Sequence, residues 1–297
     1  MAKHRYSIFL GCVIPNRLPQ IEAATRLVMP KLNVELVEME GASCCPAPGV
    51  IKSFDIDTWL ALTARNIAIS EENGLDILVL CNGCYGTLIA GVHDLKDLEK
   101  RKRVNKILKG TGHQVKGTIT AKHLVEVLYK DVGKEAIEET IVNPIDARFA
   151  IHVGCHLLKP SDIRPWGFVE DFTLVDELVE LVGGTTVDYK LKDMCCGAGG
   201  GVRSAELEVS NDMVREKVEA MQRAKVDALV NVCNFCHLQF DVGQLQLNNE
   251  YGTDYQIPVL YYTQLLGLAQ GFTPKQMGLD KHYISTKPFL DKIGMSV

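Results

Sequence analysis

The sequence predicts an α/β fold of two pseudo-symmetric halves, each a βαβ-type unit with a mostly parallel sheet. Apolar, β-rich runs alternate with amphipathic helical stretches along the 297 residues, as in parallel sheets. The second half repeats the order of the first, and each half carries five cysteines in the same arrangement. We place the boundary near 143–146, where NPID interrupts the pattern, which gives halves of residues 1–144 and 145–297.

In the first half, RYSIFLGC predicts a strand that ends near Cys12, and GLDILVLCNGC predicts one that ends near Cys81. The stretch SFDIDTWLALTARNIAISEEN between them opens near a serine and has apolar positions every three to four residues, which indicates a serine-capped amphipathic helix. The run at 94–109, DLKDLEKRKRVNKILK, alternates charges at helical spacing and predicts a solvated helix face rather than a docking surface. VKGTITAKHLVEVLYK then predicts a short strand that leads into a helix.

The second half follows the same order. ARFAIHVGC predicts a strand near Cys155, and KVDALVNVCNFC predicts another near Cys233. SAELEVSNDMVREKVEAMQRAK is the matching serine-capped helix, and IPVLYYTQLLGLAQ is the matching strand and helix. Since parallel sheets bind ligands at the carboxyl ends of their strands, the cysteines of each half are expected to meet at one edge of its sheet.

Composition excludes several classes of function. The net charge of -5 gives no reason to expect nucleic acid. No stretch reaches the roughly 18 apolar residues of a membrane span. The first residues indicate a strand rather than a signal peptide, so we expect a cytoplasmic protein. Cysteines are usually reduced there, and ten reduced thiols indicate metal or redox chemistry rather than disulfides.

Each half contains one cysteine, then a vicinal pair, then C-x-x-C. The gaps are 31 and 35 residues in the first half and 39 and 36 in the second. Five thiolates exceed the four that a tetrahedral zinc or a cubane iron–sulfur cluster takes. Adjacent side chains also tend to diverge, which suits a larger cluster better than one ion. The spacing therefore favours a polynuclear iron–sulfur cluster in each half, and zinc in one half remains the alternative.

Other cofactor motifs fit poorly. A thioredoxin-like interpretation of each C-x-x-C leaves six cysteines unexplained. The run GAGGG at 197–201 places Val202 where a dinucleotide loop needs its third glycine, so we interpret it as backbone room beside a cluster. The ferredoxin run C-x-x-C-x-x-C-x-x-x-C-P is absent from the sequence, as are flavin and nicotinamide signatures.

The two cysteine sets resemble the cysteine-rich CCG domain family, whose motif is Cys, 31 to 39 residues, Cys-Cys, 35 or 36 residues, Cys-x-x-Cys. CCGAGGG in the second half includes the glycine after the vicinal pair, whereas CCPAPG in the first half has Pro46 there. The resemblance spans nearly the whole chain, including the tail GLDKHYISTKPFL. Within the family, two complete motifs without a ferredoxin segment most resemble the B component of the soluble heterodisulfide reductases of methanogenic archaea.

The resemblance implies a catalytic iron–sulfur subunit of methanogenesis that reduces the mixed disulfide of coenzyme M and coenzyme B to two thiols. It implies two noncubane [4Fe-4S] clusters, with the S–S bond cleaved between them. The ligands carried over for one cluster are Cys12, Cys44, Cys45, Cys81 and Cys84, and those for the other are Cys155, Cys195, Cys196, Cys233 and Cys236. Each cluster would supply one electron, and no side-chain nucleophile would be used, because no cysteine is left for thiol exchange.

The sulfonate and phosphate of the two coenzymes require cations in the cleft. The candidate substrate-binding residues close to the second set of cysteines are Lys159, Arg164, Arg203 and His237. His156 directly follows Cys155 and is the candidate catalytic residue, as a cation or proton donor beside a new thiolate. His237 stands where the first half has Tyr85, a difference that would suit an unsymmetrical substrate.

Electrons would have to come from a partner, because the chain has no cubane relay motif. In the family complexes the partners are an iron–sulfur protein (the C component), a flavoprotein (the A component) and a hydrogenase. Two alternatives remain. One is a non-catalytic electron-transfer subunit of a 2-hydroxyacid or glycerol-3-phosphate oxidising complex. The other is a structural zinc in one half, for which Pro46 makes the first half the better candidate.

Overall fold

A computed structural model describes residues 4–167 and 169–297 and confirms the α/β fold. Two four-stranded sheets have the orders β2-β1-β3-β4 and β6-β5-β7-β8, and all paired strands are parallel. The strands are β1 (His4–Phe9), β2 (Val34–Glu38), β3 (Ile77–Val79), β4 (Ala121–His123), β5 (Arg148–His152), β6 (Thr185–Thr186), β7 (Ala228–Asn231) and β8 (Val259–Tyr261). The same strand order in both sheets gives the halves their pseudo-symmetry.

Helices connect the strands. They are α1 (Val13–Arg17), α2 (Pro19–Lys31), α3 (Ile51–Phe54), α4 (Ile56–Asn73), α5 (Asn82–Asp94), α6 (Leu98–Leu108), α7 (Leu124–Glu126), α8 (Lys134–Glu138), α9 (Cys155–Leu158), α10 (Leu174–Leu181), α11 (Val202–Ala205), α12 (Leu207–Arg223), α13 (Asn234–Tyr251), α14 (Tyr262–Ala269) and α15 (Lys287–Lys292). Short 3₁₀ turns span Lys109–Thr111, Ser161–Ile163 and Leu279–Lys281, and a π-helical stretch spans Val127–Val132.

The predicted strands before the cysteines are present, and a glycine turns the chain after β1 and after β5. Gly11 and Gly154 have φ values of +65° and +83°, a region that glycine enters without a steric penalty. A Cβ on Gly11 would lie 2.9 Å from the Sγ of Cys84, and one on Gly154 would lie 2.5 Å from the Nδ2 of Asn82. The repeated Gly-Cys pair therefore meets a steric requirement at the edge of each sheet.

The predicted serine caps are wrong. Helix α4 is capped by Asp55, whose side chain accepts hydrogen bonds from the backbone N–H groups of Asp57 and Thr58. Ser53 lies in the preceding short helix α3. In the second half Ser204 lies inside α11, and α12 begins after Glu206 without a side-chain cap. Each expected single helix is a short helix followed by a long one, and this break moves the cap.

Helix α6 carries the alternating charges and packs with only Val104 and Leu108 buried, as a solvated helix does. Asp97 caps it, accepting from the backbone N–H groups of Glu99 and Lys100. The predicted solvated face is confirmed. Among the described residues, no helix is long and apolar enough to cross a membrane.

The two halves share one continuous hydrophobic core. The hydroxyl of Tyr261, at the end of β8, donates to the carbonyl of Leu80 at 2.6 Å, just before the first C-x-x-C. Helix α14 packs on α2, where the hydroxyls of Thr25 and Thr263 lie 3.1 Å apart. The halves are thus fixed relative to each other by buried contacts close to the cysteines. The boundary between 144 and 145 stays a prediction.

Candidate metal centre between the two halves

All ten cysteines lie at the carboxyl edges of the two sheets. Cys81 and Cys233 are the N-cap residues of α5 and α13, so each C-x-x-C turns from a strand into a helix. The single cysteines Cys12 and Cys155 lie at the start of α1 and α9. The vicinal pairs lie in the loops that follow β2 and β6. The topology therefore brings each set of five to one place, as the strand pattern predicts.

The thiols form a continuous series that crosses from one half to the other. Neighbours along it are Cys12, Cys44, Cys45, Cys84, Cys81, Cys233, Cys236, Cys196, Cys195 and Cys155. The Sγ atoms of Cys45 and Cys84 lie 3.0 Å apart, and the matching pair of the second half lies 3.3 Å apart. The halves meet at Cys81 and Cys233, with Sγ atoms 3.9 Å apart. All ten are free thiols.

Thiol-to-thiol hydrogen bonds shift the acidity of the cysteines in opposite directions. A hydrogen bond with Cys44 lowers the pKa of Cys45 well below its usual value, and one with Cys236 does the same for Cys233. A hydrogen bond with Cys155 lowers the pKa of Cys195 to about 2. Both halves therefore hold thiolate character inside a crowded sulfur cluster, and thiolates are the form that binds metals.

The members of each vicinal pair differ in burial, as diverging side chains should. Cys44 is exposed and Cys45 is buried, and Cys195 is half-buried whereas Cys196 is buried. A single tetrahedral ion would need four of the five sulfurs of a half around one point. Five soft donors that converge from three loops, six of the ten being buried, fit a sulfur-ligated polynuclear group in each half.

A cavity of about 210 Å³ lies between the halves and is called the central cavity here. All five cysteines of the second half line it, together with 47–50 and 82–83 of the first half and 198–201 of the second. The glycine run predicted to leave room beside a cluster therefore forms its wall. Gly49 and Gly200 occupy matching positions after the two vicinal pairs, and a Cβ on Gly49 would lie 2.7 Å from the Cα of Gly200.

A second, more open cavity of about 670 Å³ adjoins the first and is called the cationic cavity here. Of the predicted residues, His156, Lys159 and Arg164 line it, and His156 also lines the central cavity. Lys52, which the sequence reasoning missed, adds a cation from the first half, with its Nζ 4.2 Å from the centre of the Trp59 ring. The cavity also contains the carboxylates of Asp162 and Glu170.

Arg164 is 7% exposed and lies across the join between the halves. Its Nη2 donates to the carbonyl of Lys159 at 2.8 Å, and its guanidinium carbon lies 5.2 Å from the centre of the Tyr85 ring. Burial lowers the pKa of Arg164. Neither its Nε nor its Nη1 has a partner among the described residues, so it has free donors for an anion.

The structure does not bring Arg203 or His237 to either cavity. The guanidinium of Arg203 donates to the side chains of Gln239 and Gln246 at 2.6 and 2.8 Å, which holds it along α13. His237 is fully buried, and its Nδ1 lies 3.3 Å from the Nδ2 of Asn231. Burial keeps the pKa of His237 well below its usual value, so it is neutral. Proximity to a cysteine in sequence misled both predictions, because neighbouring helix positions face different sides.

Two further residues contact the cysteines. His152 is buried at the end of β5, and its ligand atom lies within 4.8 Å of the Sγ atoms of Cys196 and Cys236. Burial lowers its pKa to about 3. Its signal in the sequence is a histidine where the matching strand has Phe9. Asn82 follows the first cysteine of its C-x-x-C and donates to the carbonyl of Val153 across the halves at 2.6 Å. The asparagine shared by CNGC and CNFC was its signal.

The cysteine-rich domain family, CCG, matches residues 6–89 and 149–241, which include all ten cysteines. The chain belongs to the cysteine-rich CCG domain family. Two curated relatives of this family member are B components of heterodisulfide reductases from Methanosarcina. That of the ferredoxin/F420H2-dependent CoB-CoM heterodisulfide reductase of Methanosarcina acetivorans is 52% identical, covering 97% of each chain. That of the ferredoxin:CoB-CoM heterodisulfide reductase of Methanosarcina mazei is 50% identical, covering 98% of this chain and 97% of that one.

A solved structure of a hypothetical protein from Helicobacter pylori has the same fold, with a TM-score of 0.74. The match covers 96% of this chain and 52% of that chain at 16% identity. At this identity the likeness concerns the fold alone.

Proposed function

We propose that the chain is the catalytic iron–sulfur subunit of a heterodisulfide reductase, which reduces the mixed disulfide of coenzyme M and coenzyme B to the two thiols. The observation that carries the proposal is the continuous series of ten thiols across the halves, with the central cavity at its middle. The relatives named as B components of CoB-CoM heterodisulfide reductases, at about half identity over nearly the whole chain, support it.

Each set of five cysteines would hold one noncubane [4Fe-4S] cluster. When bound, the clusters supply single electrons, and a disulfide needs two. The walls of the central cavity are mostly backbone and apolar side chains, such as Ala47, Pro48 and Phe235, which would exclude water from the S–S bond. His156 stands between this cavity and the cationic cavity and would hold or donate a proton to a newly formed thiolate.

The cationic cavity would bind the anionic ends of the substrate. Arg164 offers unpaired donors, and Lys52 and Lys159 add positive charge from both halves. Charge-assisted hydrogen bonds to phosphate or sulfonate are strong and directional. His237 and Arg203 have no part in this proposal, because they are engaged elsewhere.

Electrons would arrive from partner proteins, which we expect to be the iron–sulfur C component and the flavin-containing A component, linked to a hydrogenase. Exposed Cys12 and Cys44 bring the first set of sulfurs to the surface, which supports electron entry from a docked partner. The cytoplasmic location stays a prediction.

The test begins with the iron, acid-labile sulfide and zinc contents of the anaerobically purified chain. About eight irons with matching sulfide are expected, and Cys12→Ser and Cys155→Ser should each lower the iron content of one half. Turnover is then measured as oxidation of a reduced viologen by the heterodisulfide, with an uncharged disulfide as the control substrate. About four irons and one zinc would contradict the two-cluster proposal and favour a structural zinc in one half. Full clusters without heterodisulfide turnover would instead favour a subunit that only transfers electrons in another oxidising complex.

A further inference from the structure

Lys217 on α12 is fully buried and holds the loop that leads to the second vicinal cysteine pair. Its Nζ donates to the backbone carbonyls of Leu191, Lys192 and Met194, at 2.5, 2.9 and 2.9 Å. These three residues lie within the four that precede Cys195. The ammonium therefore fixes the path of the chain into the second cysteine site.

The charge of Lys217 is directed at the second site. Its hydrogen-bond acceptors in the described structure are carbonyl oxygens, so no carboxylate neutralises it there. Burial lowers its pKa to about 8, and Cys196 and Cys236 are the charged groups that most oppose this effect. The lysine is thus a buried cation whose strongest electrostatic partners are two sulfurs of the second site.

The first half performs the same anchoring with a neutral side chain. Asn66 on α4 is fully buried and lies 15 residues before the first C-x-x-C, as Lys217 lies 16 before the second. Its Oδ1 accepts from the backbone N–H of Ser43 at 2.9 Å, and its Nδ2 lies 3.5 Å from the carbonyl oxygen of Cys44. The matched positions therefore support their loops alike but differ by one unit of charge.

A group that gains an electron becomes more negative, and a nearby buried cation stabilises that form more strongly than a surface charge would. Charge and hydrogen bonding around a sulfur-ligated group are known determinants of its reduction potential. We propose that Lys217 makes the second site the more readily reduced of the two, with a midpoint potential above that of the first. This rests on the proposed function only in that both cysteine sets hold redox-active groups.

The test is a redox titration of the two sites, followed by electron paramagnetic resonance, in the full chain with and without substitution of Lys217. Cys44→Ser alters the first site only and so assigns the signals. Lys217→Met removes the charge and the hydrogen bonds. Lys217→Gln removes the charge but keeps N–H donors for the carbonyls, and Lys217→Arg keeps the charge. In the unsubstituted protein the second site should have the higher potential.

In both neutral variants the oxidised-to-reduced ratio of the second site at a fixed potential should rise at least about tenfold, a shift of about 59 mV for one electron. The first site should not shift, and Lys217→Arg should stay close to the unsubstituted protein. The proposal is overturned if Lys217→Gln titrates like the unsubstituted chain, if the unsubstituted sites have the reverse order, or if the second half holds zinc. The titration uses no heterodisulfide, so a failure of turnover with these shifts intact would count against the proposed function alone.

Discussion

Arg164 is buried at the join between the halves with two of its three guanidinium nitrogens unpaired among the described residues. Leaving such donors without a partner costs free energy, and structures retain the arrangement where a ligand supplies the partner. The sequence located this residue only through its distance from Cys155. Its burial, its contact with Tyr85 of the other half and its free donors follow from the meeting of two halves, which a local pattern does not contain.

We therefore expect Arg164→Met to raise the KM for the heterodisulfide at least tenfold with a smaller change in kcat. A hydrogen bond to a charged group contributes about 1.5–3 kcal/mol, and about 1.4 kcal/mol corresponds to tenfold in affinity. Arg164→Lys should recover part of the loss. Arg5→Met is the control, because Arg5 forms an exposed ion pair with Glu35. Steady-state kinetics with an unchanged KM in Arg164→Met would exclude the arginine from substrate binding.

At the scale of elements, the sequence located the strands before the cysteines because their apolar runs and the chain repeat carry the same information twice. It placed the caps wrongly, because Ser53 and Ser204 lie in short helices that break the expected ones. The anchoring of the C-terminal tail was also beyond local patterns. Asp241 on α13 accepts hydrogen bonds from the backbone N–H groups of Tyr283 and Ile284 at 2.9 and 2.8 Å, across more than forty residues of sequence.

Asp241→Ala should release this tail. Two backbone N–H groups lose their acceptor, and a buried unsatisfied group costs about 1–3 kcal/mol. The free energy of unfolding should fall by that order, and hydrogen exchange at Tyr283 and Ile284 should become faster while the strands stay protected. Asp254→Ala is the matched control, because its carboxylate accepts from exposed Gln256. Equal exchange rates in the two variants would show that other contacts hold the tail.

At the scale of the whole molecule, the repeat in the sequence becomes a pseudo-two-fold arrangement in which matching residues meet. Cys81 faces Cys233, and Gly49 faces Gly200. A repeat predicts two like halves, but it does not say which faces meet. That choice depends on packing across the join, where the halves differ: Pro46 matches Gly197 in the repeat, and the carbonyl of Pro46 is held by the hydroxyl of Thr87 at 3.0 Å. The departure from the family motif is thus accommodated within the fold.

The approach of the two loops leads to the prediction that Gly49→Ala opens the central cavity. The new Cβ would lie 2.7 Å from the Cα of Gly200, a distance that backbone atoms must move to relieve. The cysteines lie on other segments of the loops, so the iron content should be retained while heterodisulfide turnover falls several-fold or more, as expected for a site displaced by a fraction of an ångström. Gly110→Ala is the control, because its Cβ would meet open space. If turnover in Gly49→Ala equals that of the control at equal iron content, the disulfide does not react between these loops.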